Sequence, residues 1–140
     1  MGRILAIDYG MKRTGLAVTD PLQIIATGLT TVSTKELLTY IQNYCKAEEV
    51  DTFVIGDSKH LDNTDTNVKQ HSVGFSRKLQ ALFPDKTIAW IDERFTSKMA
   101  SQSMVMSGMK KKKRQQKALI DEISATIILQ SYMEKKSFLF

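Results

Sequence analysis

The sequence contains a single cysteine, Cys45, and only 2 prolines in 140 residues. One thiol excludes an internal disulfide and leaves no thiolate cluster for zinc. No apolar run approaches the roughly 20 residues of a membrane-spanning helix, so we expect no membrane partner. The start, Met1-Gly2-Arg3, leads straight into an apolar run without a signal-peptide pattern. These absences predict a cytoplasmic protein.

The remaining composition is that of an ordinary globular protein, with 42% hydrophobic and 25% charged residues. This length supports one domain with its own core, so we predict a single domain over 1–140. The net charge of +5 is a weak indication of a nucleic-acid partner. Its distribution says more, because five consecutive cations predict a mobile basic loop at about 108–116 that contacts phosphates. These cations are Lys110, Lys111, Lys112, Lys113 and Arg114.

Apolar runs, turn residues and helical spacing predict the element order β-β-β-α-β-α-β-α-α. Ser33 and Glu36 have the spacing of a capping box at the start of the first helix. Strands that alternate with helices after an initial antiparallel meander imply an α/β fold with a five-stranded mixed sheet flanked by helices. The predicted strands are 3–8, 14–19, 24–32, 52–55 and 87–91, and the later helices are about 68–83, 96–107 and 115–135.

Acidic residues stand at the ends of apolar segments in three distant parts of the chain. Asp8 and the pair Asp92-Glu93 follow predicted strands, and in sheets of this kind sites form at the carboxyl ends of strands. Asp121 shares a helical face with Ala125 and two further apolar positions, so its carboxylate must be paired or bound to metal. Three such groups predict a site for two Mg²⁺ or Mn²⁺ ions, as phosphodiester hydrolysis requires.

Strand alternation points Asp92 and Glu93 to opposite faces, so one of them should be a direct ligand. We favour Glu93 as the catalytic carboxylate beside Asp8 and Asp121, and Asp92 remains an alternative metal ligand. Arg94 either pairs with a neighbouring carboxylate or meets a phosphate. Lys12 and Arg13, in the glycine-bracketed turn after Asp8, are further candidates for substrate contact.

Taken together, these segments resemble the YqgF family, the Holliday-junction-resolvase-like proteins also described as pre-16S rRNA nucleases. The resemblance spans nearly the whole chain. One departure is the stretch after Gly56, where the family usually has Gly-Leu-Pro-Leu and this chain has Asp57-Ser58-Lys59-His60. The matching pieces are Ile7-Asp8-Tyr9-Gly10, Lys12-Arg13, Gly15, Asp20, Val54-Ile55-Gly56, Asp92-Glu93-Arg94, Thr96, Lys117 through Asp121 to Ala125, and Ile128-Leu129.

The resemblance implies a ribonuclease H-like fold and a two-metal-ion nuclease that matures the 5′ end of pre-16S ribosomal RNA. It places metal-site roles on Asp8, the Asp92-Glu93 pair and Asp121, and substrate-contact roles on Arg13 and Arg94. The partner is then nucleic acid, either precursor rRNA or branched DNA, and the protein is a monomer or a homodimer. Three alternatives stay open: a branched-DNA nuclease, a non-catalytic RNA-binding assembly factor, and a nucleotide-binding protein of the actin-like class.

Overall fold

The computed structural model describes residues 2–57, 67–92 and 117–137. Nine elements lie in these ranges, and five of them are strands of one sheet. The apolar runs of the sequence supply the buried residues of β1, β2 and β4. The elements are β1 (Arg3–Asp8), β2 (Arg13–Thr19), β3 (Ala26–Ser33), a 3-10 turn (Thr34–Glu36), α1 (Leu37–Ala47), β4 (Val50–Asp57), α2 (Asn67–Leu82), β5 (Thr87–Asp92) and α3 (Lys117–Ser137).

The sheet has the strand order β3-β2-β1-β4-β5, with β1 at its centre. Strands β1, β2 and β3 pair antiparallel, whereas β4 pairs parallel with both β1 and β5. The predicted meander followed by parallel strands is therefore confirmed. The carboxyl ends of β1, β4 and β5 lie at one edge, and each of these strands ends in an aspartate: Asp8, Asp57 and Asp92.

Each face of the sheet carries its own hydrophobic cluster, because alternate strand residues point to opposite sides. Leu5, Ile7 and Phe53 belong to the cluster beneath α1 and α2, together with Ile41 and Leu79 of those helices. The second cluster packs α3 against the other face. It contains Ile4, Ala6, Ala17, Val54, Ala125, Ile128 and Leu129.

Several element boundaries differ from the predictions. Ser33 makes no side-chain capping bond, so the predicted capping box is wrong, and the helix is entered through the 3-10 turn. Strand β4 continues through Gly56 to Asp57 instead of stopping at the glycine. The predicted helix at 96–107 and the basic loop at 108–116 lie outside the described residues.

No helix in the described ranges combines the length and apolar character needed to cross a membrane.

The connection between β2 and β3 is held by the carboxylate of Asp20. Asp20 Oδ1 accepts hydrogen bonds from the backbone N–H groups of Ile24 and Ile25, each at 2.8 Å, and Oδ2 accepts one from Leu22 at 3.2 Å. These bonds, that of Ile25 first, lower the pKa of Asp20, although desolvation opposes them. The same loop contains Gln23, whose backbone has a positive φ of 58°.

Asp20 is expected to make the stability of the protein dependent on pH in the acid range. Because its pKa is lower in the folded chain than the value of about 3.9 for unfolded chains, its contribution is complete above that value. The contribution is lost as the pH falls through the folded pKa. The melting temperature of Asp20→Ala should therefore lie below wild type at pH 7, with the gap closing below about pH 4. Asp85→Ala, in an exposed turn, is the control, and a gap independent of pH would contradict the assignment.

Candidate active site at the carboxyl edge of the sheet

Asp8 is the last residue of the central strand, and Gly15 of β2 is its direct partner in the antiparallel ladder. It follows Ile7, which belongs to the cluster beneath α1 and α2, so alternation places Asp8 on the face covered by α3. Directly paired residues of an antiparallel ladder have Cα atoms about 5 Å apart. Asp8 therefore begins the site on the α3 side of this edge.

Gly15 is also where α3 lies closest to the sheet. A Cβ atom at this position would overlap the backbone carbonyl of Asp121, so only glycine permits the approach. Ser124 and Ala125, both fully buried, keep the helix surface small on the same side. Asp8 and Asp121 consequently flank one glycine, although they lie 113 positions apart along the chain.

The helical face of Asp121 is the one predicted from the sequence. Ala125 and Ile128, four and seven positions later, are buried in the cluster between α3 and the sheet. The neighbouring Glu122 is half-buried, and its carboxylate lies over Gly28 of β3. Spacing along the helix therefore identified the inward-facing carboxylate but not the position of its neighbour.

Arg13, the first residue of β2, forms an ion pair with Asp121. Arg13 Nε lies 3.1 Å from Asp121 Oδ2, and the side chains are 42% and 25% exposed, respectively. The sequence indicated a substrate contact for Arg13 but not this pairing, because nothing in local spacing relates positions 13 and 121. The pair places a cation beside the carboxylate in this half-open corner.

The turn between β1 and β2 is fixed from the other side by Thr34. Its hydroxyl donates to the carbonyl of Gly10 at 2.6 Å, and its backbone N–H donates to the carbonyl of Lys12 at 3.0 Å. Gly10 is required here because a Cβ would overlap the carbonyl of Arg13. The turn that carries Lys12 and Arg13 is therefore anchored to the start of the first helix.

Asp57 and Asp92 lie at the same edge of the sheet but on the opposite face from Asp8. They are register partners in β4 and β5, and alternation from Ile55 and Trp90 places both beneath α2. Lys69 of α2 contacts Asp57 and the ring of Trp90. Its Nζ atom lies 2.5 Å from Asp57 Oδ1 and 4.6 Å from the centre of the Trp90 ring. Sequence reasoning missed Asp57, although its position after the apolar run ending at Gly56 was a usable signal.

The remaining predicted site residues, Glu93, Arg94 and the cations Lys110 to Arg114, lie outside the described residues. Within the described ranges, no three acidic, histidine or cysteine side chains come together as a metal-binding group.

Cys45 belongs to the rim of the core, where burial raises the pKa of its thiol, with Lys86 opposing the shift. The raised pKa favours the protonated thiol at neutral pH, which lowers the reactivity of Cys45.

A mixed five-stranded sheet with this strand order, packed against helices on both faces, defines a domain of the ribonuclease H-like fold class. Comparison with family models gives the particular family. Residues 2–135 match the model described as "RuvX: Holliday junction resolvase", and the chain belongs to that family.

Relatives with more than half of their residues identical cover almost the whole chain. The protein of Phocaeicola vulgatus named "Putative pre-16S rRNA nuclease" is 53% identical over 139 residues, which are 99% of this chain and 100% of the relative. A protein of the same name from Bacteroides fragilis is 54% identical over 136 residues, 97% of this chain and 99% of its own. The chain thus spans the full length of these relatives.

Solved structures of RuvC share the fold at much lower sequence identity. RuvC of T. thermophilus in complex with Holliday junction substrate has a TM-score of 0.57 at 15% identity, covering 97% of this chain and 96% of its own. Another Thermus thermophilus RuvC structure has a TM-score of 0.54 at 11% identity and covers 96% of each chain. At this identity the likeness establishes the fold alone.

Proposed function

We propose that this protein is a metal-dependent nuclease that hydrolyses phosphodiester bonds in pre-16S ribosomal RNA in the cytoplasm, during maturation of its 5′ end. One observation carries the proposal: Asp8 and Asp121 flank Gly15 at the carboxyl edge of the central strand. A pair of carboxylates held by a strand and a helix offers the hard oxygen ligands that divalent ions prefer.

Mg²⁺ or Mn²⁺, as two ions, fits the donor chemistry of this corner. Asp8 and Asp121 stand on both sides of Gly15, and Arg13 already places positive charge 3.1 Å from Asp121 Oδ2. Asp8, Asp121 and Glu93 would hold the ions; Asp92 is the weaker candidate because it lies on the opposite face. The chemistry that such ions supply when bound is a more acidic attacking water and a stabilised leaving oxygen.

Cationic side chains around the carboxylates would position the substrate. Arg13 is more than a third exposed, so its guanidinium can turn from Asp121 to a phosphate once other positive charge neutralises that carboxylate. Lys12 stands in the same anchored turn. Arg94 and the five cations of the basic loop, Lys110 to Arg114, would add phosphate contacts whose strength depends on salt.

Two substrates are supported by different comparisons. The names of relatives more than 50% identical favour precursor ribosomal RNA. The description of the matching family favours branched DNA, which a two-fold symmetric homodimer would suit better. Because those relatives are more than 50% identical over nearly the whole chain, precursor RNA is our first choice.

The test compares both substrates under defined metal conditions. Purified protein is incubated with a short pre-16S RNA that includes the 5′ junction, or with a four-way DNA junction, in Mg²⁺, Mn²⁺ or chelator. We expect cleavage of the RNA in either metal and none in chelator. Cutting of the DNA junction alone would favour the resolvase-like function. Failure to cut either substrate in any metal would support a non-catalytic assembly factor.

A further inference from the structure

We infer that the cavity between the β1–β2 turn, the start of α1 and the middle of α2 binds one nucleotide of the nucleic-acid substrate, next to the cleavage site. The inference rests on the proposed function, since it supposes a nucleic-acid substrate. The cavity has a volume of about 390 Å³, within the range of small-ligand sites. Tyr9, Thr34, Lys35, His71, Gly74 and Lys78 are among the residues that line it.

The cavity adjoins the candidate active site at Tyr9, which lines the cavity and is the next residue after Asp8. The ring of Tyr9 packs on Phe75 of α2 with the ring centres 5.4 Å apart. Thr34, on the rim, donates to the carbonyl of Gly10 and lies 2.9 Å from the hydroxyl of Thr14. A strand whose scissile phosphate lies at Asp8 can therefore continue around the sheet edge into the cavity.

The charge of the lining suits a polyanion. Lys35 of the 3-10 turn lines one wall, Lys78 and His71 of α2 line another, and all three residues are exposed. None of the described residues that line the cavity is acidic. Lysines on opposite walls can contact one phosphate or two successive phosphates. The half-buried ring of Tyr9 offers a surface on which a base can stack.

Gly74 supplies an independent observation. It lies in the middle of α2, where glycine destabilises a helix relative to alanine. A Cβ atom there would meet nothing within 4 Å, so packing in the described parts of the chain gives no reason for glycine. Its position between His71 and Lys78, three and four residues away, puts bare backbone on the cavity wall. Close approach of a ligand to the helix explains the residue.

Two kinds of variant test the cavity by binding measurements made in chelator, so that cleavage does not interfere. Gly74→Leu fills the space with a good helix former, and the double variant Lys35→Ala/Lys78→Ala removes the charge. A labelled single-stranded RNA is titrated by fluorescence anisotropy over a range of salt concentrations. We expect each variant to bind at least about tenfold more weakly, with an unchanged or higher melting temperature for Gly74→Leu. The double variant should also lower the salt slope by about 1.4, at about 0.7 per phosphate contact.

Lys46→Ala/Lys135→Ala removes the same charge from exposed positions elsewhere and is the matched control. If the cavity variants bound the RNA as tightly as this control variant does, the inference would be overturned. If wild type cleaved RNA in that same case, the proposed nuclease function would stand, so failure of the inference and failure of the proposed function are distinguishable.

A third arm of the experiment adds free AMP. Saturable AMP binding that Gly74→Leu abolishes, with RNA affinity unchanged, would identify a mononucleotide site and also overturn the inference.

Discussion

Asp8→Asn is expected to lower the rate of RNA cleavage about 10³-fold, which corresponds to about 4 kcal/mol of transition-state stabilisation. The substitution keeps the size of the side chain but removes the charge that hard divalent ions need at the end of the central strand. RNA affinity measured in chelator should be preserved or increased, because a negative charge facing the phosphates is lost. Single-turnover cleavage in Mg²⁺, with anisotropy in parallel, measures both quantities.

Asp85→Asn is the matched control for this experiment. It makes the same chemical change in an exposed turn before β5, at the opposite end of the strands from Asp8. If Asp8→Asn cleaved the RNA as fast as wild type, the metal-site assignment would lose its basis.

The assembly-factor alternative makes its own prediction in cells. Asp8→Asn would then support normal rRNA maturation, and neutralising Lys110 to Arg114 would abolish it.

Gly15→Ala is expected to impair both stability and cleavage, because its methyl group would overlap the backbone carbonyl of Asp121. Overpacking of a well-filled contact costs about 1–3 kcal/mol. For a chain of this size that lowers the melting temperature by roughly 4–10 °C. The helix must move away from the sheet, taking Asp121 from Asp8. A displacement of about 1 Å at a catalytic group can cost about 10²-fold in rate. Thermal unfolding and cleavage well below the melting temperature measure these effects separately.

Gly74→Ala is the stability control for this comparison, since its added Cβ would enter open space. Replacing glycine by alanine in a helix interior should raise stability by up to about 1 kcal/mol. The two glycine-to-alanine changes should therefore shift the melting temperature in opposite directions. Equal stabilities for wild type and Gly15→Ala, with full cleavage, would mean that the contact between β2 and α3 does not position Asp121.

The strands were predictable because their signals are local. Four consecutive apolar residues, Ile4 to Ile7, bury alternately on two faces, and both faces of the central strand are covered. The start of α1 was not predictable in the same way. Ser33 and Glu36 have capping-box spacing, but Ser33 ends β3, and Thr34 uses its N–H and hydroxyl to anchor the β1–β2 turn. Contacts with the distant β1–β2 turn, and not the local capping motif, therefore organise the chain at the start of α1.

In the candidate site, too, local features were predictable from the sequence and contacts between distant residues were not. The inward direction of Asp121 followed from its spacing to Ala125 and Ile128, because side chains four and seven residues apart share a helix face. Its ion pair with Arg13 joins residues 108 positions apart, and no periodicity relates them. Asp57 was missed because a glycine before it resembled the end of a strand, whereas pairing with β5 extends β4 through that glycine.

The sequence by itself determined the order of the strands and helices, the carboxylates at the ends of β1 and β5, and the resemblance to one family. Only the tertiary structure decided which carboxylates share a face: Asp8 with Asp121, and Asp57 with Asp92 on the other side. The physical reason is that strand alternation and helical spacing determine only the face of its own strand or helix on which a side chain lies. The distance between elements depends on close contacts such as Gly15 against the backbone of α3.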